Sequence, residues 1–194
     1  MRTPRLPKVL TCLCLLATIP ISAQALQQGQ VFKLYLGEPS ASHPTTESTG
    51  FDYAAAVQGN CGQIQRSTYD SYLLRTNVAG NKFELSHCGK NSDGHLACEI
   101  KILSGSYKDY YWYQSDGYVR PTSSPGNERF AFVPAGSYKF NSQNLGSNQG
   151  DLYKIRDSMG RYLVIGEKQS DCGVNYLRFD TKDAAKATKV TLGS

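Results

Sequence analysis

Three tyrosines at nearly equal spacing place the strongest constraint on how this chain folds. Tyr72, Tyr118 and Tyr162 each lie in a short phrase that reads as strand, polar turn and strand, and they are separated by 46 and then 44 residues. A second segment, in which apolar and polar residues alternate, follows each phrase, and its starts are separated by 46 and 48 residues. These segments begin at Asn81, Asn127 and Asn175. A period near 46 on two independent landmarks predicts three structural repeats.

Segments typical of β-strands recur along most of the chain. Runs of aromatic and β-branched residues alternate with turn residues, which is the pattern of short strands joined by tight turns. Only Phe51–Val57 and Thr181–Lys189 favour a turn or two of helix, and both are short and rich in alanine. Grouped by repeat, the strands form a hairpin and two further strands in each third. The thirds are 64–103, 110–140 and 152–192. We therefore expect an all-β domain.

This pattern resembles a β-trefoil, in which a six-stranded barrel is capped by three hairpins. The resemblance covers about 130 residues and concerns the fold pattern alone. The alternative is another closed β-barrel or a β-sandwich. Exported trefoils are commonly lectin-like modules or inhibitors of hydrolases, so the resemblance implies a binding role. The chain departs from ricin-type lectins, because that family repeats a Gln-x-Trp phrase and Trp112 is the single tryptophan here.

The first 25 residues have the layout of a secretory signal peptide. A basic start precedes an apolar stretch from Val9 to Ile21, and the small-residue ending Ala23-Gln24-Ala25 follows. We expect cleavage after Ala25 and a secreted product of 169 of the 194 residues, which suits one domain. Within it, 26–62 is predicted to form an N-terminal strand and exposed loop, and 63–194 the three-repeat β domain.

Charge and hydropathy exclude two classes of partner. The predicted signal peptide contains three basic residues and no acidic one, so its removal lowers the net charge from +5 to +2. No run of lysine or arginine forms the basic surface that nucleic acid requires. No later segment approaches the roughly 20 consecutive apolar residues of a membrane-spanning helix. We therefore expect neither nucleic-acid binding nor membrane insertion.

The cysteine count predicts disulfide bonds. An even number of cysteines in an exported chain is typical of a disulfide framework. The four outside the signal peptide are Cys61, Cys88, Cys98 and Cys172. Of the three pairings that four cysteines allow, we favour Cys88–Cys98 with Cys61–Cys172, because residues 82–103 read as two strands around a polar turn. The second bridge would connect the first repeat to the third.

Metal binding and catalysis find little support in the sequence. His87, Cys88, His95 and Cys98 have ligand chemistry that suits zinc, but oxidation of the two thiols would remove half of that set, so we expect no metal and no cofactor. The familiar nucleophile motifs Gly-x-Ser-x-Gly, Ser-x-x-Lys and His-Glu-x-x-His do not occur. The acidic residues are scattered and lie near turns. We expect a protein that is not an enzyme, and a small secreted hydrolase is the weakest alternative.

The most unusual composition occurs between Ser106 and Tyr118, which contains five tyrosines and the only tryptophan. Alternate side chains of a strand face opposite ways, so one of the pairs Tyr111/Tyr113 and Tyr110/Trp112 should lie outside the core. Exposed aromatic rings beside polar groups stack on sugars or anchor protein interfaces. We predict recognition of a glycan or glycosylated surface by this hairpin. The residues are Tyr110, Tyr111, Trp112, Tyr113 and Asp116.

A second function is also compatible with the sequence. The phrase Ser104-Gly-Ser-Tyr107, followed by an aromatic strand, is similar to the inhibitory loop of bacterial lysozyme inhibitors of the C-type class. The match covers about fifteen residues. It implies an inhibitor that inserts an exposed loop into an extracellular hydrolase, for which Gly37–Gly50 and Gly89–Gly94 are the candidate loops. The partner is then an extracellular protein rather than a glycan.

Overall fold

The computed structural model describes residues 25–38, 53–58, 71–76, 81–126, 128–142, 146–168 and 175–193. Twelve strands and one turn of 3-10 helix lie in these ranges. The strands are β1 (Val31–Leu36), β2 (Tyr53–Gln58), β3 (Ser71–Thr76), β4 (Lys82–Lys90), β5 (Leu96–Ile102), β6 (Tyr111–Ser115), β7 (Tyr118–Thr122), β8 (Phe130–Ser142), β9 (Gly146–Arg156), β10 (Tyr162–Lys168), β11 (Asn175–Thr181) and β12 (Val190–Gly193). The 3-10 turn is Ala184–Lys186. The predicted signal peptide and Cys61–Cys172 bridge fall on residues outside these ranges, apart from Ala25.

Apolar and polar alternation produces the strands, as the sequence predicts. In β4, Phe83 and Leu85 are buried while Lys82 is exposed and Glu84 half-buried, because successive side chains of a strand point to opposite faces. One prediction is wrong: the alanine-rich segment 51–57, expected to favour helix, contains strand β2. Its six residues pair antiparallel with all six of β3, and this pairing overrides the helical propensity of Ala54–Ala56.

The strands pair antiparallel in a single twelve-stranded sheet that closes on itself. One closed circuit of these pairings passes through nine strands. In order they are β10, β11, β3, β2, β1, β4, β5, β8 and β9. Strand β12 joins β1 and β9, and the β6–β7 hairpin is paired to β5 and β11. The all-β class and a closed barrel are therefore confirmed.

The β-trefoil expectation is corrected by this circuit. We expected three hairpins that cap a separate six-stranded barrel, whereas β2–β3 and β10–β11 belong to the closed nine-stranded circuit. The tyrosine landmarks nevertheless mark similar places in three strand pairs. Tyr72, Tyr118 and Tyr162 lie at or next to the start of the second strand of an antiparallel pair, in β3, β7 and β10, and Tyr118 and Tyr162 are each opposite the last residue of the strand before their turn.

Aromatic side chains fill the barrel interior. The Trp112 ring lies edge-on to Phe83 and Phe130, with ring centroids 5.6 and 5.9 Å apart, and Phe130 stacks on Phe179 at 5.2 Å. Edge-to-face and offset-stacked geometries are the favourable ones for aromatic pairs. These four rings come from β4, β6, β8 and β11 and so hold four strands to one core. Across the described residues, no helix is long and apolar enough to span a membrane.

Candidate functional site

The aromatic segment forms the β6–β7 hairpin, closed by a two-residue turn at Asp116-Gly117. Both turn residues have positive φ, 53° and 84°, as a type I′ turn requires, and Asp-Gly is among the sequences that favour it. The strands pair from Tyr111 opposite Thr122 to Ser115 opposite Tyr118. This register decides which side chains of the segment face the core.

Trp112 faces inward. Its side chain is only 1% exposed and lies against Phe83 and Phe130, and Val119, on the same face of the hairpin, is also buried. A sugar has no access to the indole ring in this position. The structure thus places Trp112, one of the predicted binding residues, in the core and beneath the hairpin rather than on its surface.

Tyr111 and Tyr113 face outward. Tyr113 is 41% exposed and is paired with Arg120 on β7, and Tyr111 is half-buried and paired with Thr122. Tyr118 shares this face, because it lies two residues from Arg120 along the strand. Asp116 is exposed at the tip, where its carboxylate accepts a hydrogen bond from Ser115 Oγ at 3.3 Å. The hairpin therefore presents a tyrosine flanked by an arginine and, at its end, a carboxylate.

The same face continues onto β11. Tyr118 is paired with Arg178, whose guanidinium lies 5.0 Å from the centroid of the Tyr118 ring, within the range of a cation–π interaction. Tyr176 packs edge-on against Tyr118 at 5.9 Å. We call this face the outer aromatic surface. It consists of Tyr111, Tyr113, Tyr118, Arg120, Tyr176 and Arg178.

Tyr110 belongs to a different environment. It lies just before β6, and its ring packs edge-on against Tyr107 at 5.3 Å and against the core. The phrase that contains Tyr107 is fastened to β4, since Asn81 Nδ2 donates to the Ser104 carbonyl at 2.7 Å and Lys82 N donates to Ser104 Oγ at 2.8 Å. These contacts give Ser104–Tyr107 a structural role in joining β5 to β6.

The Cys88–Cys98 disulfide forms as predicted, with the two Cα atoms 4.1 Å apart. It joins β4 to β5 beside the turn 91–95. His87 precedes it with a φ of 46°, and its Nδ1 lies 2.9 Å from Glu99 Oε2. No group of three or more histidine, cysteine, aspartate or glutamate side chains suited to a metal ion lies together in the described ranges.

Sequence reasoning missed a polar cavity of about 640 Å³ beside this disulfide hairpin. Its walls are the β4–β5 turn, the start of β8 and the turn that follows β9. Charged side chains of both signs line it, including Glu99, Arg129 and Asp157. The residues are remote in sequence, which is why no local motif predicts the cavity.

Most charges of the cavity are already paired. Asp93 forms an ion pair with Arg156 across the opening, and this contact lowers the pKa of the Asp93 carboxyl. Asp157 is buried and accepts hydrogen bonds from Met159 N, Arg161 N and Arg161 Nε at 2.8 to 3.0 Å. The Asp157 carboxylate is thus committed to holding its own turn.

Glu128 lies between the cavity and the aromatic hairpin. Its Oε2 accepts a hydrogen bond from the backbone N–H of Gln114 in β6 at 2.7 Å. Burial raises the pKa of this carboxyl, and the charge of Asp157 raises it further, in opposition to the Gln114 hydrogen bond and Arg161. Glu128 therefore binds the β6 backbone through one carboxylate oxygen and lies close enough to Asp157 and Arg161 to be influenced by their charges.

Comparison with known proteins adds no family to these observations. No protein-family model matches the chain, and a search of curated proteins returns no match.

Proposed function

We propose that this chain is a secreted, non-catalytic binding protein that recognises a glycan through the outer aromatic surface. The observation that supports this most strongly is the orientation of the β6–β7 hairpin, which buries Trp112 and leaves Tyr113 exposed beside Arg120. Anchoring of the hairpin by the buried indole holds the tyrosine ring in place before a ligand arrives, and a preorganised surface loses less entropy on binding.

The mode of recognition follows from the chemistry of this surface. The apolar face of a pyranose would stack on the Tyr113 ring, and the guanidinium of Arg120 would donate hydrogen bonds to sugar hydroxyls or ring oxygen. The Asp116 carboxylate at the tip would accept from hydroxyls of the next residue. Tyr118, held by Tyr176 and Arg178, would extend the surface for a second sugar.

A binding role rather than a catalytic one is supported by the state of the nearby acids. Asp157 accepts three hydrogen bonds from its own turn, and Glu128 accepts from the β6 backbone. A general acid or base needs free access to the substrate proton, and these carboxylates are turned to structural partners.

The test is titration of the protein with a panel of neutral oligosaccharides, followed by saturation-transfer NMR. Tyr113→Ala should weaken the binding of a positive ligand by about tenfold or more, because an exposed aromatic anchor carries a large share of such contacts. Tyr113→Phe keeps the stacking face and should retain most of the affinity. Val31→Ala, which shortens another exposed apolar side chain, is the control. Equal affinity of wild type and Tyr113→Ala would contradict the proposal.

Hydrolase inhibition is the second candidate, and the β4–β5 turn favours it. Asn91 Oδ1 accepts hydrogen bonds from Asp93 N and His95 N at 3.1 and 2.9 Å, next to the Cys88–Cys98 bridge. A rigid exposed loop of this kind suits insertion into an enzyme cleft. Inhibition of a lysozyme or protease that is lost in Asn91→Ala and kept in Tyr113→Ala would support this candidate over glycan binding.

A further inference from the structure

The polar cavity contains an arginine without a partner. Of the arginines whose side chains the structure describes, Arg156, Arg161 and Arg178 form ion pairs with aspartates, and Arg120 also has interactions. Arg129 is the exception, since no hydrogen bond or ion pair joins it to any other group. It is exposed, directly precedes β8, and lines the cavity. A guanidinium at a cavity wall whose donors have no protein partner is available to an incoming anion.

The absence of a side chain at position 89 makes room for the Arg129 guanidinium. Gly89 lies at the irregularity in the β4–β5 pairing, and a Cβ placed there would come within 3.1 Å of Arg129 Nη1. The guanidinium therefore lies close against the backbone of β4. This contact restrains its position without using its hydrogen-bond donors.

The remaining charges of the cavity leave a preference for an anion. Asp93 is paired with Arg156, Asp157 with Arg161 and Glu99 with His87. Lys90 lines the opening and, like Arg129, is not paired in the part of the chain that the structure describes. Because the Glu99–His87 contact is an ion pair only when the imidazole is protonated, the two unpaired cations, Lys90 and Arg129, exceed the unpaired acids by at least one positive charge. An excess of unpaired positive charge in a cavity attracts a negatively charged ligand.

The kind of anion follows from geometry and from the other lining groups. A planar guanidinium matches a carboxylate with two parallel hydrogen bonds, and the small excess of positive charge in the cavity suits a singly charged carboxylate better than a doubly charged phosphate. Ser92 and Ser158 hydroxyls also line the cavity and can exchange hydrogen bonds with sugar hydroxyls. A cavity of about 640 Å³ is within the range that holds small ligands.

We propose that this cavity binds a uronic acid residue, with its carboxylate on Arg129 and its hydroxyls on the serine-lined walls. The site is separate from the outer aromatic surface and does not depend on glycan binding there. Lys90 contributes attraction at the opening, and Gly89 keeps Arg129 in position.

The experiment is calorimetric titration of the full chain with sodium glucuronate, glucose, acetate and inorganic phosphate at equal ionic strength. Glucuronate should bind more tightly than each of the others by about tenfold or more, because it alone combines the carboxylate and the hydroxyls. Equal binding of glucose would show that Arg129 is not used. Equal or tighter binding of phosphate would show a general anion site. No binding of glucuronate, or either of these results, would overturn the proposal.

Variants locate the site. Arg129→Gln should lower the glucuronate affinity by about tenfold or more, Lys90→Gln should lower it less, and Lys182→Gln, a change of an exposed lysine elsewhere, should leave it unchanged. Gly89→Ala is the second variant, because its new Cβ crowds Nη1 without removing a charge. If Arg129→Gln fails to fold, the glucuronate affinity of Gly89→Ala tests the site instead. Unchanged glucuronate affinity in the variants that fold would overturn the proposal. Tyr113→Ala should not alter glucuronate binding.

Discussion

The β4–β5 and β6–β7 hairpins are neighbours in the sheet, with Lys101 of β5 opposite Tyr111 of β6, yet they are stabilised in different ways. The first has a covalent bond, Cys88–Cys98, close to its turn, and this leaves the polar residues of the turn free to line a cavity. The second has no such bond in its described residues and is anchored by the buried Trp112. Burial of alternate residues leaves the others, including Tyr113, for the outer surface. The means of anchoring thus determines which part of each hairpin is available for binding.

Removal of the buried anchor Trp112 is the strongest test of how the β6–β7 hairpin is stabilised. Trp112→Ala should lower the free energy of unfolding by about 3–5 kcal/mol, because it leaves a large cavity among Phe83 and Phe130. Tyr113→Ala, one residue away on the opposite face, should cost less than about 1 kcal/mol. Urea denaturation of both variants measures the difference. Similar losses for the two would show that the hairpin is not anchored through its inner face.

Removal of the covalent anchor tests the other hairpin. The Cys88→Ser/Cys98→Ser double variant opens a loop with a sequence separation of 10, and chain-entropy reasoning gives a loss of about 3 kcal/mol. Urea denaturation of the variant and of the oxidised wild type measures it. The effect should include weaker glucuronate binding, since the turn forms a cavity wall, while binding at Tyr113 should persist. An unchanged midpoint would mean that backbone pairing alone fixes the β4–β5 hairpin.

The two turns offer a finer comparison. Gly117→Ala places a side chain at a φ of 84° and should cost about 1 kcal/mol. Gly94→Ala, at a φ of 81° with open space around it, should cost a similar amount. Gly126→Ala is the control, because its Cβ would meet only an ordinary contact of 3.7 Å with Glu128 N. Thermal unfolding of the three variants ranks their stabilities. If Gly126→Ala is as unstable as the other two, positive φ is not the cause of the destabilisation.

The smallest expected effect concerns Glu128, which accepts a hydrogen bond from the β6 backbone of the second hairpin. The pKa of its carboxyl is raised in the folded protein, so the folded state binds the proton more tightly than the unfolded chain does. The resulting contribution to stability is present at low pH and is lost as the pH rises through the folded pKa. Glu128→Gln removes the ionisation. The melting temperature of this variant relative to wild type should therefore rise between pH 4 and pH 7. A difference that is constant with pH, measured by thermal scans across this range, would contradict the assigned burial.

Local patterns predicted the parts of the fold that depend on local chemistry. Alternation around Phe83 and Leu85 predicted β4, Asp116-Gly117 predicted a hairpin turn, and the polar turn between Cys88 and Cys98 predicted their bridge. The helical preference of 51–57 was misleading because β3 supplies a complete set of backbone partners to β2. The strand–turn–strand phrases around Tyr118 and Tyr162 were predicted correctly, since each tyrosine begins the second strand of a hairpin.

The candidate sites were less predictable because they depend on packing. The sequence indicated that one aromatic pair of Tyr110–Tyr113 would face outward, but only the register of β6 against β7 identified it as Tyr111 and Tyr113. The cavity unites Gly89, Arg129 and Asp157 from three separate elements. Neither the missing partner of Arg129 nor the space left by Gly89 has a signature in local sequence.

The pairing of β1 with β12, which places Lys33 opposite Gly193, has a consequence for the order in which the protein is made. During synthesis, β1 can find β4 early, but its partner β12 is the last of the described strands to emerge. Contacts of such large sequence separation close slowly and only after the loop entropy has been overcome. One edge of β1 therefore remains open until β12 leaves the ribosome, and truncation before Val190 should leave a chain that is prone to pair with its neighbours.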